Sequence, residues 1–206
     1  MLIIPAILET TPEEVKNKID LLKKESQNFH IDIMDGTITP EKSITIQDIP
    51  MIQGVKYELH LMVKKPSEYI REVRKVKPYK IIVHSEIQNI NSEIEKVKGE
   101  WKVYIAIDIS TLAEQIIPIL KKTNGVLVMS VPIGKTGQKF HKEALNKIKY
   151  LSKYTKNIEM DGGINSRNIS QCLKLNVSEV AISSGIYKEY DPKINLKKLK
   201  KIITKI

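Results

Sequence analysis

The chain has 206 residues, 41% of them hydrophobic and 28% charged, with 34 Lys+Arg against 24 Asp+Glu for a formal net charge of +10. Those values exclude disordered and collagen-like chains and suit one large domain over residues 1–206. The longest apolar runs, residues 2–8 and 125–129, fall far short of the roughly 20 residues of a membrane helix, and no secretory signal opens the chain, so a cytoplasmic protein without membrane contact is expected.

Short apolar or alternating runs recur along the chain, each followed by an amphipathic stretch or a loop leading to one. The strands expected are residues 2–8, 28–34, 57–62, 80–84, 102–107, 125–130, 157–160 and 179–183. Helix starts are marked by Thr11-Pro12-Glu13-Glu14, Pro66-Ser67-Glu68, Ser110-Thr-Leu-Ala-Glu114 and Asn165-Ser-Arg. A second helix is expected around residues 43–53. Cys172 falls inside a helical pattern as a small buried apolar residue. At the end of the chain Leu196, Leu199, Ile203 and Ile206 recur at helical spacing between lysines, the pattern of a docked helix with a solvated face. Much of the positive charge is therefore surface lysine, and with no aromatic platform beside it nucleic-acid binding is not expected.

Strands alternating with helices predict an α/β fold with a parallel sheet. Eight units at about 26 residues each fit a compact single-domain (β/α)8 TIM barrel. A doubly wound open sheet is the alternative, but the first turn, residues 8–12, lacks the glycines a dinucleotide fold places there.

The run Phe29-His30-Ile31-Asp32-Ile33-Met34-Asp35-Gly36 carries the most chemical information. A period of two points His30, Asp32 and Met34 to one face and Ile31 and Ile33 to the other. A carboxylate inside a barrel needs a partner, and a bound cation or an ion pair is the cheapest one. Tyr57-Glu-Leu-His60-Leu-Met62 repeats the arrangement with His60 and Met62, and Ile158-Glu-Met-Asp161-Gly-Gly places Asp161 at a strand end. Singly, a strand histidine is commonly a satisfied core residue and a strand-end aspartate a helix cap. Together, at the carboxyl ends of barrel strands, His30, Asp32, His60 and Asp161 form a candidate site for one divalent zinc, iron, manganese or cobalt ion.

His84 ends the fourth strand, where it either lines the pocket or serves a structural role; His141 opens a helix and is expected in solvent. Asp35 has the opposite parity to Asp32 and is expected to brace the adjoining loop or helix. Met34, Met62 and Met129 sit at or near strand ends, as core filling or as a thioether wall over a reacting centre. Two regions could hold an anion on backbone N–H groups: the loop containing Gly134, Lys135, Thr136 and Gly137, and the strand ends carrying Gly162, Gly163, Ser183 and Ser184. The former is not a Walker A loop, because Met129 stands where its first glycine belongs.

Taken together, Pro5-Ala-Ile-Leu8, His30-Ile-Asp-Ile-Met-Asp-Gly36, His60-Leu-Met-Val63, Val83-His84-Ser-Glu86, Val128-Met-Ser-Val131, Gly137-Gln-Lys-Phe140 and Asp161-Gly-Gly-Ile164 resemble the ribulose-phosphate 3-epimerase family over nearly the whole chain. The resemblance implies a TIM barrel that epimerises C3 of a ketose phosphate through a metal-stabilised enediolate. It implies His30, Asp32, His60 and Asp161 as metal ligands, Asp32 and Asp161 as the acid/base pair, and Met34, Met62 and Met129 as caps on the intermediate. Two carboxylates suit that chemistry, since one proton leaves one face of C3 and another arrives on the opposite face.

The sequence departs from the family pattern near the substrate. Ala6 stands where the family usually has a serine, Asp35-Gly-Thr-Ile-Thr-Pro-Glu41 replaces Asp-Gly-His-Phe-Val-Pro-Asn, Ile133-Gly-Lys-Thr-Gly-Gln138 replaces Pro-Gly-Phe-Gly-Gly-Gln, and Ser183-Ser184 replaces a Gly-Ser. The expected activity interconverts ribulose 5-phosphate and xylulose 5-phosphate. A hexulose phosphate such as allulose 6-phosphate, or a catalytically silent phosphate-binding barrel, are the alternatives. Hexulose-phosphate synthases share the barrel, but their Asp-x-Lys-x-x-Asp motif is missing. Expected partners are a small-molecule sugar phosphate and further copies of the chain, as a homo-oligomer.

Overall fold

A computed structural model describes residues 1–188 and 191–204. Eight parallel strands, β1 (Leu2–Ile7), β2 (Asn28–Met34), β3 (Lys56–Met62), β4 (Lys80–His84), β5 (Lys102–Ile107), β6 (Gly125–Met129), β7 (Ile158–Asp161) and β8 (Glu179–Ile182), close into a barrel in chain order, with β8 pairing back onto β1. The outer layer holds α1 (Pro12–Leu22), α2 (Ile70–Val76), α3 (Ile90–Val97), α4 (Ile117–Leu120), α5 (Glu143–Leu151), α6 (Ile169–Lys174), α7 (Ser184–Tyr187) and α8 (Pro192–Thr204). Among the described residues no helix is long and apolar enough to cross a membrane.

The α1 start behaves as its sequence dictates: Thr11 and Glu14 form a reciprocal capping box with Pro12 in the first turn. In α8, Leu196 and Leu199 are buried as the spacing requires, whereas Ile206 lies outside the described residues. The crossover between β2 and β3 departs from expectation. Residues 43–53 form no α-helix, only a single 3-10 turn over Ile46–Asp48. The run Ile44-Thr45-Ile46 is β-branched, the Thr45 hydroxyl donates to Asp48 at 2.7 Å, and Pro50 has no N–H to extend a helix. Ile44, Ile46 and Ile49 still cover the barrel wall, so burial is achieved without a helix.

Alternation along the strands sorts the core into two regions. Ile31, Ile33, Leu59, Leu61, Ile81 and Val83 point outward into the layer beneath the helices. Inside the barrel, Ile82, Tyr104, Ala106, Leu127, Met129 and Val131 fill the side toward β4, β5 and β6 with apolar groups. The other side is charged: His30, Asp32, Glu58, His60, Lys80 and Glu159 are all buried. Register stacks these residues in layers, with His30 beside Glu58 and, one step up, Asp32 beside His60.

The lower layer neutralises itself. Lys80 Nζ lies 2.7 Å from Glu58, 2.6 Å from Glu159 and 2.5 Å from Glu179, and sits 4.5 Å above the centre of the Tyr104 ring. Burial opposes its charge, but the three glutamates outweigh that and hold its pKa far above the usual lysine range. The Tyr79 hydroxyl donates to Glu58 as well. Removing one partner of such a cluster strands the others in a dry interior. Lys80→Met is expected to lower stability by about 3–5 kcal/mol in urea unfolding. A loss below about 1 kcal/mol would show that the cluster is not held together by this ammonium.

Candidate active site

The upper layer at the carboxyl ends of β2, β3 and β7 has no lysine. His30 Nε2 and His60 Nδ1 lie 3.2 and 3.0 Å from Asp32 Oδ1 and 3.3 Å from each other. With Asp161 the four residues each offer a ligand atom, all within 4.8 Å of one another. The structure thus brings together the whole set expected from the sequence. Two ring nitrogens and two carboxylates converging on one point is a mixed N/O donor set that fits a divalent transition ion. His30, Glu58 and Glu159 also converge, but Lys80 already fills the midst of those carboxylates.

The surroundings set the charge of each group. Burial opposes ionisation of Asp32, but His30 and His60 beside it hold its pKa well below the carboxylate range. Burial also opposes charge on His30, yet Asp32, Glu159 and Glu58 raise it well above the usual histidine value. Burial pushes His60 down to about 4. Asp161 is pushed up to about 7, by burial first and by the Asp32 charge second.

Above these groups opens a cavity of about 40 Å³, at the carboxyl ends of the strands where barrel active sites lie. Asp32 and Asp161 form part of its floor, Met62 and Met129 part of its wall. Gly134, Lys135, Thr136, Gly137, Gly162, Gly163, Ser183 and Ser184 line the same cavity, so the two separate anion-binding candidates meet in one place. The loop after β6 is tied to itself by the Gln138 amide, which donates to the carbonyls of Pro132 and Lys135. Ser130 donates from its hydroxyl to the carbonyls of Asp161 and Gly162, fixing the end of β7 to that of β6. Gly163 has φ +59°, and a Cβ there would stand 2.6 Å from the Phe140 amide nitrogen, so only glycine lets these loops approach so closely.

Other expected residues have different surroundings. Met34 is not among the residues lining the cavity; the Thr39 hydroxyl approaches its sulfur at 3.8 Å, which places Met34 beneath the loop after β2. Lys135 is largely exposed and pairs with Glu41 at 3.5 Å across the mouth. Asp35 braces its loop, accepting from the Thr37 amide and hydroxyl and from the Tyr69 hydroxyl. His141 is half exposed. His84 is fully buried and meets His60 nitrogen to nitrogen at 2.8 Å. Glu58, Lys80 and Glu159 were not expected at all. The signal for the two glutamates was present, since each stands two residues before a site residue, His60 or Asp161, and so shares its inward face.

A sequence model of the ribulose-phosphate 3 epimerase family matches residues 2–187. The chain belongs to that family. It is accordingly an isomerase of the epimerase type. The ribulose-phosphate 3-epimerase of Schizosaccharomyces pombe is 28% identical over 185 residues, covering 84% of this chain and 80% of that protein. The Helicobacter pylori ribulose-phosphate 3-epimerase is 25% identical over 213 residues, covering 98% of each. Among solved structures, 3-hexulose-6-phosphate synthase from Salmonella typhimurium superimposes with a TM-score of 0.76 at 16% identity, covering 100% of this chain and 99% of that one; the likeness is one of fold.

The position of Asp161 has a measurable consequence. In metal-free protein it keeps its proton up to about pH 7, whereas in the unfolded chain it titrates near the ordinary value of about 4. This group therefore makes the metal-free fold less stable as pH rises between those values, and a cation must displace its proton to bind. The rise in Tm on adding saturating zinc or cobalt is expected to be larger at about pH 8 than at about pH 5.5. Equal rises at both pH values would contradict this assignment.

Proposed function

We propose that this protein is a metal-dependent ketose-phosphate 3-epimerase whose substrates are D-ribulose 5-phosphate and D-xylulose 5-phosphate, acting in the cytoplasm as a homo-oligomer. The observation that carries the reading is the placement of Asp32 on β2 and Asp161 on β7 at the floor of one cavity whose rim is built from glycine-rich turns. A carbon held between two carboxylates can lose a proton to one and receive a proton from the other on its opposite face. Without a bound ion the two groups differ in proton affinity, Asp32 low and Asp161 near neutrality, so Asp32 is the readier of the two to accept a proton. In the reverse direction they exchange roles.

His30, Asp32, His60 and Asp161 would hold a divalent ion, which when bound would supply positive charge beside the C2 carbonyl and make the C3 proton more acidic. Met62 and Met129 set an apolar wall near the reacting carbon that keeps water from competing for the proton. The backbone turns at Gly134–Gly137, Gly162-Gly163 and Ser183-Ser184 suit a phosphate, with Lys135 adding charge at the mouth.

A hexulose phosphate such as D-allulose 6-phosphate is favoured by one observation. Ala6 lines the cavity in the position where the family usually presents a serine hydroxyl, which changes both the room and the hydrogen bonding there. Steady-state rates on both sugars with metal-loaded protein decide between the readings. The expected result is a kcat/KM for ribulose 5-phosphate at least about tenfold above that for allulose 6-phosphate, a margin of about 1.4 kcal/mol. Turnover of the hexulose alone would reverse the substrate assignment, and turnover of neither would leave a silent phosphate-binding barrel.

A further inference from the structure

We propose that His84 and Glu86 are positioning residues that keep the proton of His60 on Nε2, leaving its Nδ1 lone pair aimed at the metal site. The inference rests on the metal reading above and adds to it two residues that do not line the substrate cavity. His60 and His84 approach Nε2 to Nε2 at 2.8 Å, with ring planes 19° apart and centroids 5.0 Å apart. Nearly coplanar rings with nitrogens this close meet edge to edge through a shared proton, so one of the two nitrogens donates and the other accepts.

The far side of His84 decides which. His84 Nδ1 lies 3.1 Å from Glu86 Oε2, while Glu86 Oε1 accepts the Asp108 amide N–H at 2.8 Å and the Thr111 hydroxyl. An ionised carboxylate only accepts, so His84 Nδ1 donates to it. In neutral His84 the other nitrogen, Nε2, is then the acceptor, and the proton between the rings belongs to His60 Nε2. His60 Nδ1 is left bare, facing Asp32 Oδ1 at 3.0 Å and His30 Nε2 at 3.3 Å. The same logic operates in one step at the other ligand histidine, where His30 Nδ1 lies 2.7 Å from Glu58 and Nε2 faces the site. A carboxylate behind a ligand imidazole fixes its tautomer and its orientation. At His60 that carboxylate acts through a second imidazole.

An isosteric change reverses the chain of donors. In Glu86→Gln the fixed Asp108 amide still requires an oxygen, so the new NH2 group turns toward His84 and Nδ1 must accept. His84 then carries its proton on Nε2 and donates it to His60, whose own proton moves to Nδ1, where it blocks ligation. Zinc or cobalt affinity, read by competition with a chromophoric chelator, is expected to fall about 10–100-fold, while the Tm of the metal-free protein stays within a few degrees. A measurement on the unaltered protein needs no variant to fold: ¹⁵N ring shifts of the zinc-loaded protein should show His84 protonated on Nδ1 and bare on Nε2. Native zinc affinity in Glu86→Gln, or a proton on His84 Nε2 in the native protein, overturns the relay and leaves the metal reading standing. Failure of the unaltered protein to bind zinc or cobalt overturns both.

Discussion

The constraint on which this structure depends is that a closed barrel of parallel strands turns every second side chain into a dry interior. In this chain that face carries His30, Asp32, Glu58, His60, Lys80, Glu159 and Asp161. Buried charge is tolerated only when partnered, and the two layers are partnered differently. The lower layer is closed by Lys80, which reaches three glutamates from three strands. The upper layer, at the mouth, gathers two imidazoles and two carboxylates with no lysine among them, a donor set that fits a cation.

His30 joins the two layers. One of its nitrogens faces Glu58, within the network centred on Lys80, and the other faces Asp32. The charge arrangement beneath the site therefore bears on this candidate ligand, whose ring is held at both ends. Burial that would be a liability elsewhere is put to use here. Without a bound ion it raises Asp161 toward neutrality, while the adjacent histidines keep Asp32 ionised.

Much of this was legible in the residues because one periodicity governs both fold and site. The alternation that outlines β2 also places His30 and Asp32 on a common face, and strand ends are where a barrel gathers its functional groups. The β2–β3 crossover was misread because Ile44, Ile46 and Ile49 have an apolar spacing that a helix could share, and β-branching with Pro50 overrode it. Glu58 and Glu159 shared the informative parity, but their meaning depends on Lys80, 79 residues before Glu159, which only closure of the barrel brings to them. Glu86 is similar: as part of a short motif it is legible, but its position behind His84 and against the Asp108 amide exists only once β4 and β5 are side by side. Met34 has the parity of Asp32 yet, at the end of β2, meets the loop that folds down over it.

The central claim is that Asp32 and Asp161 serve the two faces of one substrate carbon. Its most direct test is epimerisation of ribulose 5-phosphate in deuterium oxide by the unaltered protein and by Asp161→Asn, both with measured metal content. The account predicts solvent deuterium at C3 of the product from the unaltered protein and a loss of epimerisation of about 10²–10⁴-fold in the variant. Native epimerisation by Asp161→Asn, or conversion by the unaltered protein that leaves C3 free of deuterium, would contradict it.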